Sequence, residues 1–430
     1  MRPVPEDMGR SLPVMDESGR TVDEVLAELD EARGREPDPH GAHLFGLTYP
    51  TGDGEIERLT HAVHDRMLYS NALNPFRFPE QARMVGELVS DVGALVNLPR
   101  GGGGSTTSGG TESILMACLV ARGRARARGV ERPVIVAPAS AHPAYAKAAH
   151  FLDLDYRSAP LDEDSLAVDV EALRGLVDGR TALVVASAFS YPHGVLDDVA
   201  AVAAIAADAG AGCHVDACVG GMVLPFAERA GVRTIPEWDF RVPGVTSMSV
   251  DLHKYGYVPK GCSVVLHRDG DWAGHQWFVY DQWPAGIYGS PAVAGAKSAA
   301  PALAAWAVMQ HLGVDGYTGI VRDLLATSDA LRRGLESHDG VVTNGDPVGT
   351  ILSWRSERDD LDLFALGDAL ERHGWFFNRL TGTGGGKPGL HVMVSPAHAA
   401  VVDDLLADVS ASYDEVLASG TRSENSGRYA

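Results

Sequence analysis

The sequence predicts an α/β protein: a large domain built on a mostly parallel sheet, followed by a smaller C-terminal α+β domain. Three observations predict it. From Pro133 onward, short unbroken apolar runs (134–137, 181–187, 245–250) alternate with helix-forming stretches, the pattern of strands buried on both faces. His142, Asp216 and Lys254 fall at or just after the ends of such runs, where ligands collect on parallel sheets. Beyond Gly289-Ser-Pro291 the alternation gives way to long helices and short strands.

Taken in order, residues 1–60 read as an N-terminal arm carrying a helix over 21–32 and the start of another over 55–69. A turn-rich connection (70–79) and a helix over 79–96 open the large domain, assigned to 61–298. The run Arg100-Gly-Gly-Gly-Gly-Ser-Thr-Thr-Ser-Gly-Gly-Thr-Glu-Ser113 then leads straight into helix-forming residues from Ile114. Glycine-rich runs are most often linkers. Here the run ends on a helix N-terminus, whose free N–H groups and dipole favour an anion.

Strands over 134–137, 181–187, 212–217, 245–250 and 262–267 follow, with helices over 144–150 and 198–209 between them. The small domain, 299–417, should hold helices over 299–312, 319–337, 361–373 and 399–417, and strands over 341–343, 350–354 and 390–394. Residues 381–386 read as a mobile Gly/Thr loop and 418–430 as a mobile tail.

Composition narrows the function classes. A net charge of −21 argues against a nucleic-acid partner, which calls for clustered Lys and Arg. Four scattered cysteines make no disulfide framework and should be reduced and buried. No window reaches the ~20 apolar residues of a membrane span, and residues 1–39 have no signal-peptide pattern. A cytoplasmic protein is expected.

A lysine at the mouth of a sheet suits imine formation with an aldehyde cofactor. Pyridoxal 5'-phosphate has four needs: an imine-forming lysine, a carboxylate for the pyridine nitrogen, a flat group over the ring and an anion site for its phosphate. Lys254, Asp216, His142 and the turn from Ser108 to Ser113 can meet them. Such a lysine is expected to have a depressed pKa, from burial or a nearby cation. Each residue also has a bland reading: Lys254 as a surface lysine, Asp216 as a helix cap and His142 as a core or capping histidine. His214 and Asp216 alone are a poor metal motif, so no metal is expected. Together, at these strand ends, the residues fit one cofactor.

Four segments carry a resemblance to a known family: Thr107-Ser-Gly-Gly-Thr-Glu-Ser-Ile-Leu-Met-Ala117, Val136-Ala-Pro-Ala-Ser-Ala-His142, His214-Val-Asp-Ala-Cys-Val-Gly-Gly221 and Asp251-Leu-His-Lys-Tyr-Gly-Tyr-Val-Pro-Lys-Gly261. They resemble the sphingosine-1-phosphate lyases, among the group II decarboxylase-like, fold-type I pyridoxal-phosphate enzymes. Phe240–Thr246 and Gly286–Pro291 extend the match. The resemblance implies a homodimer with active sites at the subunit interface. Lys254 would carry the imine, Asp216 would pair with the ring nitrogen and His142 would stack on the ring. Gly110, Thr111 and His253 would hold the cofactor phosphate, with Ser290 reaching it from the partner subunit. Ser187 and Ser249 complete the expected cofactor set.

For substrate the resemblance implies Tyr49 and Lys260 at a phosphate, with Asn71 and Asn74 in a segment that departs from the family pattern. Asn74 stands where the family has histidine, Ala72 where it has proline and Phe76 where it has aspartate. A neutral amide weakens a phosphate site, because charge-assisted bonds are roughly twice as strong as neutral ones. Ala296-Lys297 likewise replaces a common Ser-Arg.

The expected activity is retro-aldol cleavage of a β-hydroxy amine, with released Lys254 or a cofactor phosphate oxygen as the base. Amino-acid α-decarboxylation is the alternative, for which Arg77 is a candidate carboxylate ligand. A catalytically silent scaffold is the non-enzyme alternative.

Overall fold

The computed structural model describes residues 18–383 and 386–424. The first 17 residues of the expected arm, residues 384–385 of the Gly/Thr loop and residues 425–430 of the expected tail lie outside the described residues. The chain divides into two compact units after Gly41. In the first unit, α1 (Val22–Arg33) opens on a Thr21 capping box with Glu24 and has no buried residue. Its Val22, Val25, Leu26 and Leu29 share one exposed apolar face.

In the second unit the chain runs α2 (Gly54–Arg66), α3 (Pro79–Leu95), β1 (Gly103–Thr107), α4 (Gly110–Ala127), β2 (Val134–Pro138), α5 (Ala144–Leu152) and β3 (Asp155–Ala159). It continues through α6 (Val170–Leu176), β4 (Thr181–Ser187), α7 (Val199–Asp208), β5 (Gly212–Asp216), α8 (Leu224–Ala230), β6 (Val245–Asp251), β7 (Ser263–His267) and α9 (Gly270–Gly274). A hairpin of β8 (Phe278–Tyr280) and β9 (Tyr288–Ser290) leads to α10 (Ala300–Glu336). Then come β10 (Val341–Thr343), β11 (Ile351–Ser356), α11 (Leu363–Arg372), β12 (Asn378–Leu380), β13 (Gly389–Met393) and α12 (Val402–Ser419).

The main sheet has seven strands in the order β1-β7-β6-β5-β4-β2-β3. Its pairs from β6 across to β3 are parallel, and β7 alone runs antiparallel to both neighbours. Alternate residues serve two cores. Val134, Val136, Val184 and Val215 join the larger core with α7, whereas Ile135, Ala137, Leu183 and Val185 pack with Ile114, Cys118 and Ala121 of α4. That two-sided burial explains why these strands read as unbroken apolar runs. The four cysteines are free and buried, and no described helix is long and apolar enough to cross a membrane.

One expectation differs from the structure. The glycine-rich run includes β1, paired antiparallel with β7 from Gly103 to Thr107. It contributes few side chains to pack, so its strand character was invisible to hydrophobic patterning. The helices expected over 299–312 and 319–337 are both present within α10, which breaks at the non-helical backbone of Gly313 (φ 57°, ψ −175°), so the second helix starts a few residues earlier than expected. The small sheet, β10-β11-β13-β12, is wholly antiparallel.

The two sheets are joined beside Lys254. Tyr255, fully buried, donates its hydroxyl to the Val394 carbonyl at 2.9 Å, just past the end of β13. Tyr317 on α10 donates to the Gly256 carbonyl at 3.1 Å. Removing one of these donors leaves a buried carbonyl short of a partner. Tyr255→Phe is therefore expected to lower unfolding free energy by about 1–3 kcal/mol, read from the urea midpoint. An unchanged midpoint would show that this tie does not stabilise the fold.

Candidate functional site

Strand register assembles the site. Ser187 at the end of β4 pairs with Asp216 at the end of β5, and Asp216 pairs with Ser249 on β6. β4 and β5 therefore finish level with Ser249, and β6 runs two residues further to Asp251. The segment after β6 carries His253 and Lys254 back over this edge, and the N-terminus of α4 meets it from the other side.

Together they line a cavity of about 440 Å³ that also includes His142, Tyr49, Lys260, Phe189, Tyr191, Cys218 and Met393. The sequence-predicted residues Lys254, Asp216, His142, Gly110, Thr111, His253, Ser187, Tyr49 and Lys260 all line it. Ser249 does not: it lies beneath, fully buried, with its hydroxyl 3.2 Å from His214 Nε2 and from Cys218 Sγ.

Four other predicted residues, Asn71, Asn74, Arg77 and Ser290, are elsewhere in this chain. Asn71 and Asn74 sit on the segment before α3, where each side-chain oxygen accepts a local backbone N–H, Asn71 from Leu73 and Asn74 from Phe76 and Arg77. Ser290 ends β9 and donates its hydroxyl to the Ala292 carbonyl at 3.1 Å. Arg77 is exposed on the same segment as Asn74. Lys297 Nζ donates to the Thr106 carbonyl at 3.3 Å.

Helix α4 starts at Gly110 with no side-chain cap; the Glu112 and Ser113 N–H groups reach the Gly109 carbonyl, which leaves those of Gly110 and Thr111 available to an anion. Gly110 has no room for a larger residue: a Cβ there would lie 2.8 Å from Asp251 Oδ2 and 2.8 Å from Cys218 Sγ. His142 Nδ1 accepts the Ala144 N–H at 3.1 Å, so its ring is held by its own loop. Burial lowers the His142 pKa and brings that of His253 down to about 4, so both imidazoles are neutral near pH 7.

The two lysines differ sharply. Burial acts against the charge on Lys254, but Asp251 Oδ2 at 3.0 Å outweighs it, with smaller help from Tyr49 and Cys218, and holds the pKa well above that of a free lysine. The expected depression is therefore reversed, because the acidic partner lies within ion-pair distance. Burial, with repulsion from Lys254, lowers Lys260 to about 8. Lys260 Nζ lies 4.6 Å from the centre of the Tyr49 ring and has no carboxylate in ion-pair contact among the described residues.

Asp251 was overlooked as an individual residue, although a carboxylate three positions before a key lysine was a readable signal. Met393 and Phe189 could not have been found, since they arrive from β13 and from the segment after β4. The assembled groups can hold a planar aldehyde phosphate. They offer an amine, a carboxylate at the strand edge, a neutral imidazole and a helix N-terminus.

The conserved domain of pyridoxal-dependent decarboxylases matches residues 57–341. Sphingosine-1-phosphate lyase of Saccharomyces cerevisiae is 35% identical over 92% of this chain and 67% of its own length. Sphingosine-1-phosphate lyase 1 of Mus musculus is 36% identical over 88% of this chain and 65% of its own. The chain thus spans about two thirds of the length of these curated relatives. A solved sphingosine-1-phosphate lyase of Burkholderia pseudomallei is 34% identical, covers 96% of both chains and superposes with a TM-score of 0.89. Glutamate decarboxylase of Lactobacillus brevis, at 22% identity and a TM-score of 0.81, shares the fold. This chain belongs to the pyridoxal-dependent decarboxylase family, whose cofactor is pyridoxal 5'-phosphate, and is similar to the sphingosine-1-phosphate lyases over most of its length.

Proposed function

We propose that this protein is a pyridoxal-phosphate-dependent carbon–carbon lyase that cleaves a phosphorylated β-hydroxy amine of the sphingoid-base class. The observation that carries the reading is the second lysine. Lys260 is a cation without a carboxylate partner among the described residues, in the wall of the cavity that holds Lys254, so a bound anion would supply the missing charge. Apolar Leu47, Phe189, Val219 and Met393 line the same cavity and suit the hydrocarbon part of such a substrate. The similarity to sphingosine-1-phosphate lyases supports the same substrate class.

When bound, pyridoxal phosphate supplies an electron sink for the pair left when the Cα–Cβ bond breaks. Lys254 Nζ would bind its aldehyde carbon. Asp216 would keep a proton on the ring nitrogen, which strengthens stabilisation as charge develops. His142 would lie against the ring face. Gly110 and Thr111, at the uncapped start of α4, would receive the phosphate, with His253 beside them. Tyr49 would position Lys260, whose Nζ lies over its ring.

A homodimer is part of the proposal. The described surface exposes Trp277, Phe278, Val279, Trp283 and Ile287 around the β8–β9 hairpin, and Tyr69 and Phe76 near Asn74. Exposed apolar groups in such number mark an interface. A second copy covering them would bring its Asn74 segment and Ser290 to the site that this chain leaves open. A cytoplasmic location is proposed alongside, in line with the absence of a membrane-spanning helix among the described residues.

α-Decarboxylation is the weaker reading. No arginine lines the cavity among the described residues, so a substrate carboxylate lacks the forked partner that would favour it.

Lys254→Ala is expected to remove both turnover and the visible absorption of the bound cofactor. Asp216→Asn should retain cofactor but lower kcat on the order of 10²-fold or more, as loss of an electrostatic stabiliser does. Lys260→Met should raise KM for the phosphorylated amine roughly 10- to 100-fold with little change in kcat. Because Lys260 is charged below about 8 and neutral above it, kcat/KM should fall as pH rises through that value. A flat profile, or carbon dioxide in place of an aldehyde product, would sink the assignment.

A further inference from the structure

We propose that Asp251 is the positioning residue that makes Lys254 the proton carrier of the reaction. The inference rests on the lyase reading above and names the base that the reading leaves open.

The geometry is local and enclosed. Asp251 ends β6, with its side chain only 2% exposed, and its Oδ2 lies 3.0 Å from Lys254 Nζ and 3.6 Å from His253 Nε2. It cannot swing toward α4, because Gly110 closes against its carboxylate: a Cβ there would lie 2.8 Å from Oδ2 and 2.9 Å from Oδ1. Despite its burial, the Lys254 cation keeps its pKa below that of a free aspartate. Asp251 is therefore held ionised beside the Nζ ammonium.

The other groups acting on Lys254 are few. Tyr49 and Cys218 favour its charge weakly, whereas His142, His253 and Lys260 add no compensating negative charge. Asp216 lines the same cavity. Asp251 is the carboxylate in contact with Nζ.

A neutral amine released beside a fixed carboxylate is a strong base. Nζ accepts the proton of the substrate β-hydroxyl as the Cα–Cβ bond breaks and the oxygen becomes the aldehyde carbonyl. The bond's electron pair remains with Cα. The ammonium stays docked on Asp251 Oδ2, within reach of the site. It then gives that same proton to Cα and is left neutral, the state in which it can bond again to an aldehyde carbon. One proton is taken and returned, so no further acid or base is needed.

The test is Asp251→Asn in the cofactor-loaded full chain, read by spectrophotometric pH titration of the visible band. An opposite charge at this range is worth about 1–3 pKa units, so the transition should move down by that amount. kcat should fall with KM little changed, and Asp251→Ala should behave like Asp251→Asn. A transition that stays where the unsubstituted protein has it overturns the proposal. If the unsubstituted protein shows no visible band, the cofactor reading itself has failed, which is a separate result.

A second measurement needs no variant. In the full chain freed of cofactor, pH-dependent acylation followed by peptide mass spectrometry should modify Lys260 with a midpoint near 8 and Lys254 well above it. Lys254 reacting at or below the pH of Lys260 would contradict the role given to Asp251.

Discussion

The ion pair between Asp251 and Lys254 is the interaction on which the rest of the site depends. It places a carboxylate and an amine 3.0 Å apart at the end of a fully buried strand. Separating charges in such a place leaves one of them uncompensated, so neighbouring elements are constrained to preserve the contact. Helix α4 meets Asp251 through a glycine because no side chain fits between them. Tyr255 and Tyr317, on either side of the following turn, tie the lysine segment to the small sheet and to α10.

The same pair divides the labour between two lysines six residues apart. One is held charged by its partner, and the other is left short of charge compensation by burial and by the first. Opposite shifts on neighbouring groups suit them to different roles, proton transfer and anion binding in the function proposed above. The polar layer beneath them adds rigidity. His214 spans Ser247 and Ser249, at 2.8 and 3.2 Å, and Ser249 in turn meets the Cys218 thiol. Ser249 thus supports the cavity floor and does not line it.

Much of this architecture was legible in the residues. The strand 181–187 and the short strand 341–343 were read to their ends, and most other elements to within a few residues, because burial on both faces leaves an unbroken apolar run. Lys254, Asp216 and His142 were readable as a set because strand ends in a parallel sheet face one crevice. β1, β3, β12 and the β8–β9 hairpin were not read. β1 is mostly glycine and small polar residues, β3 carries Asp155, Tyr156 and Arg157, and β12 and the hairpin strands are three residues long. None offers enough apolar periodicity to separate a strand from a loop.

The sequence by itself determined the order of the apolar strands and the long helices, the identity of the chemical groups and their placement at strand ends, since these follow from local pattern and side-chain type. Only the tertiary structure decided their electrostatic state. A lysine's pKa is set by what lies within a few ångströms of its nitrogen, and burial alone would have pushed Lys254 in the opposite direction from the one observed. It also decided that Met393 and Phe189 wall the cavity and that Asn71, Asn74 and Ser290 lie away from it in this chain. Those outcomes depend on contacts between residues far apart in sequence, which no local pattern encodes.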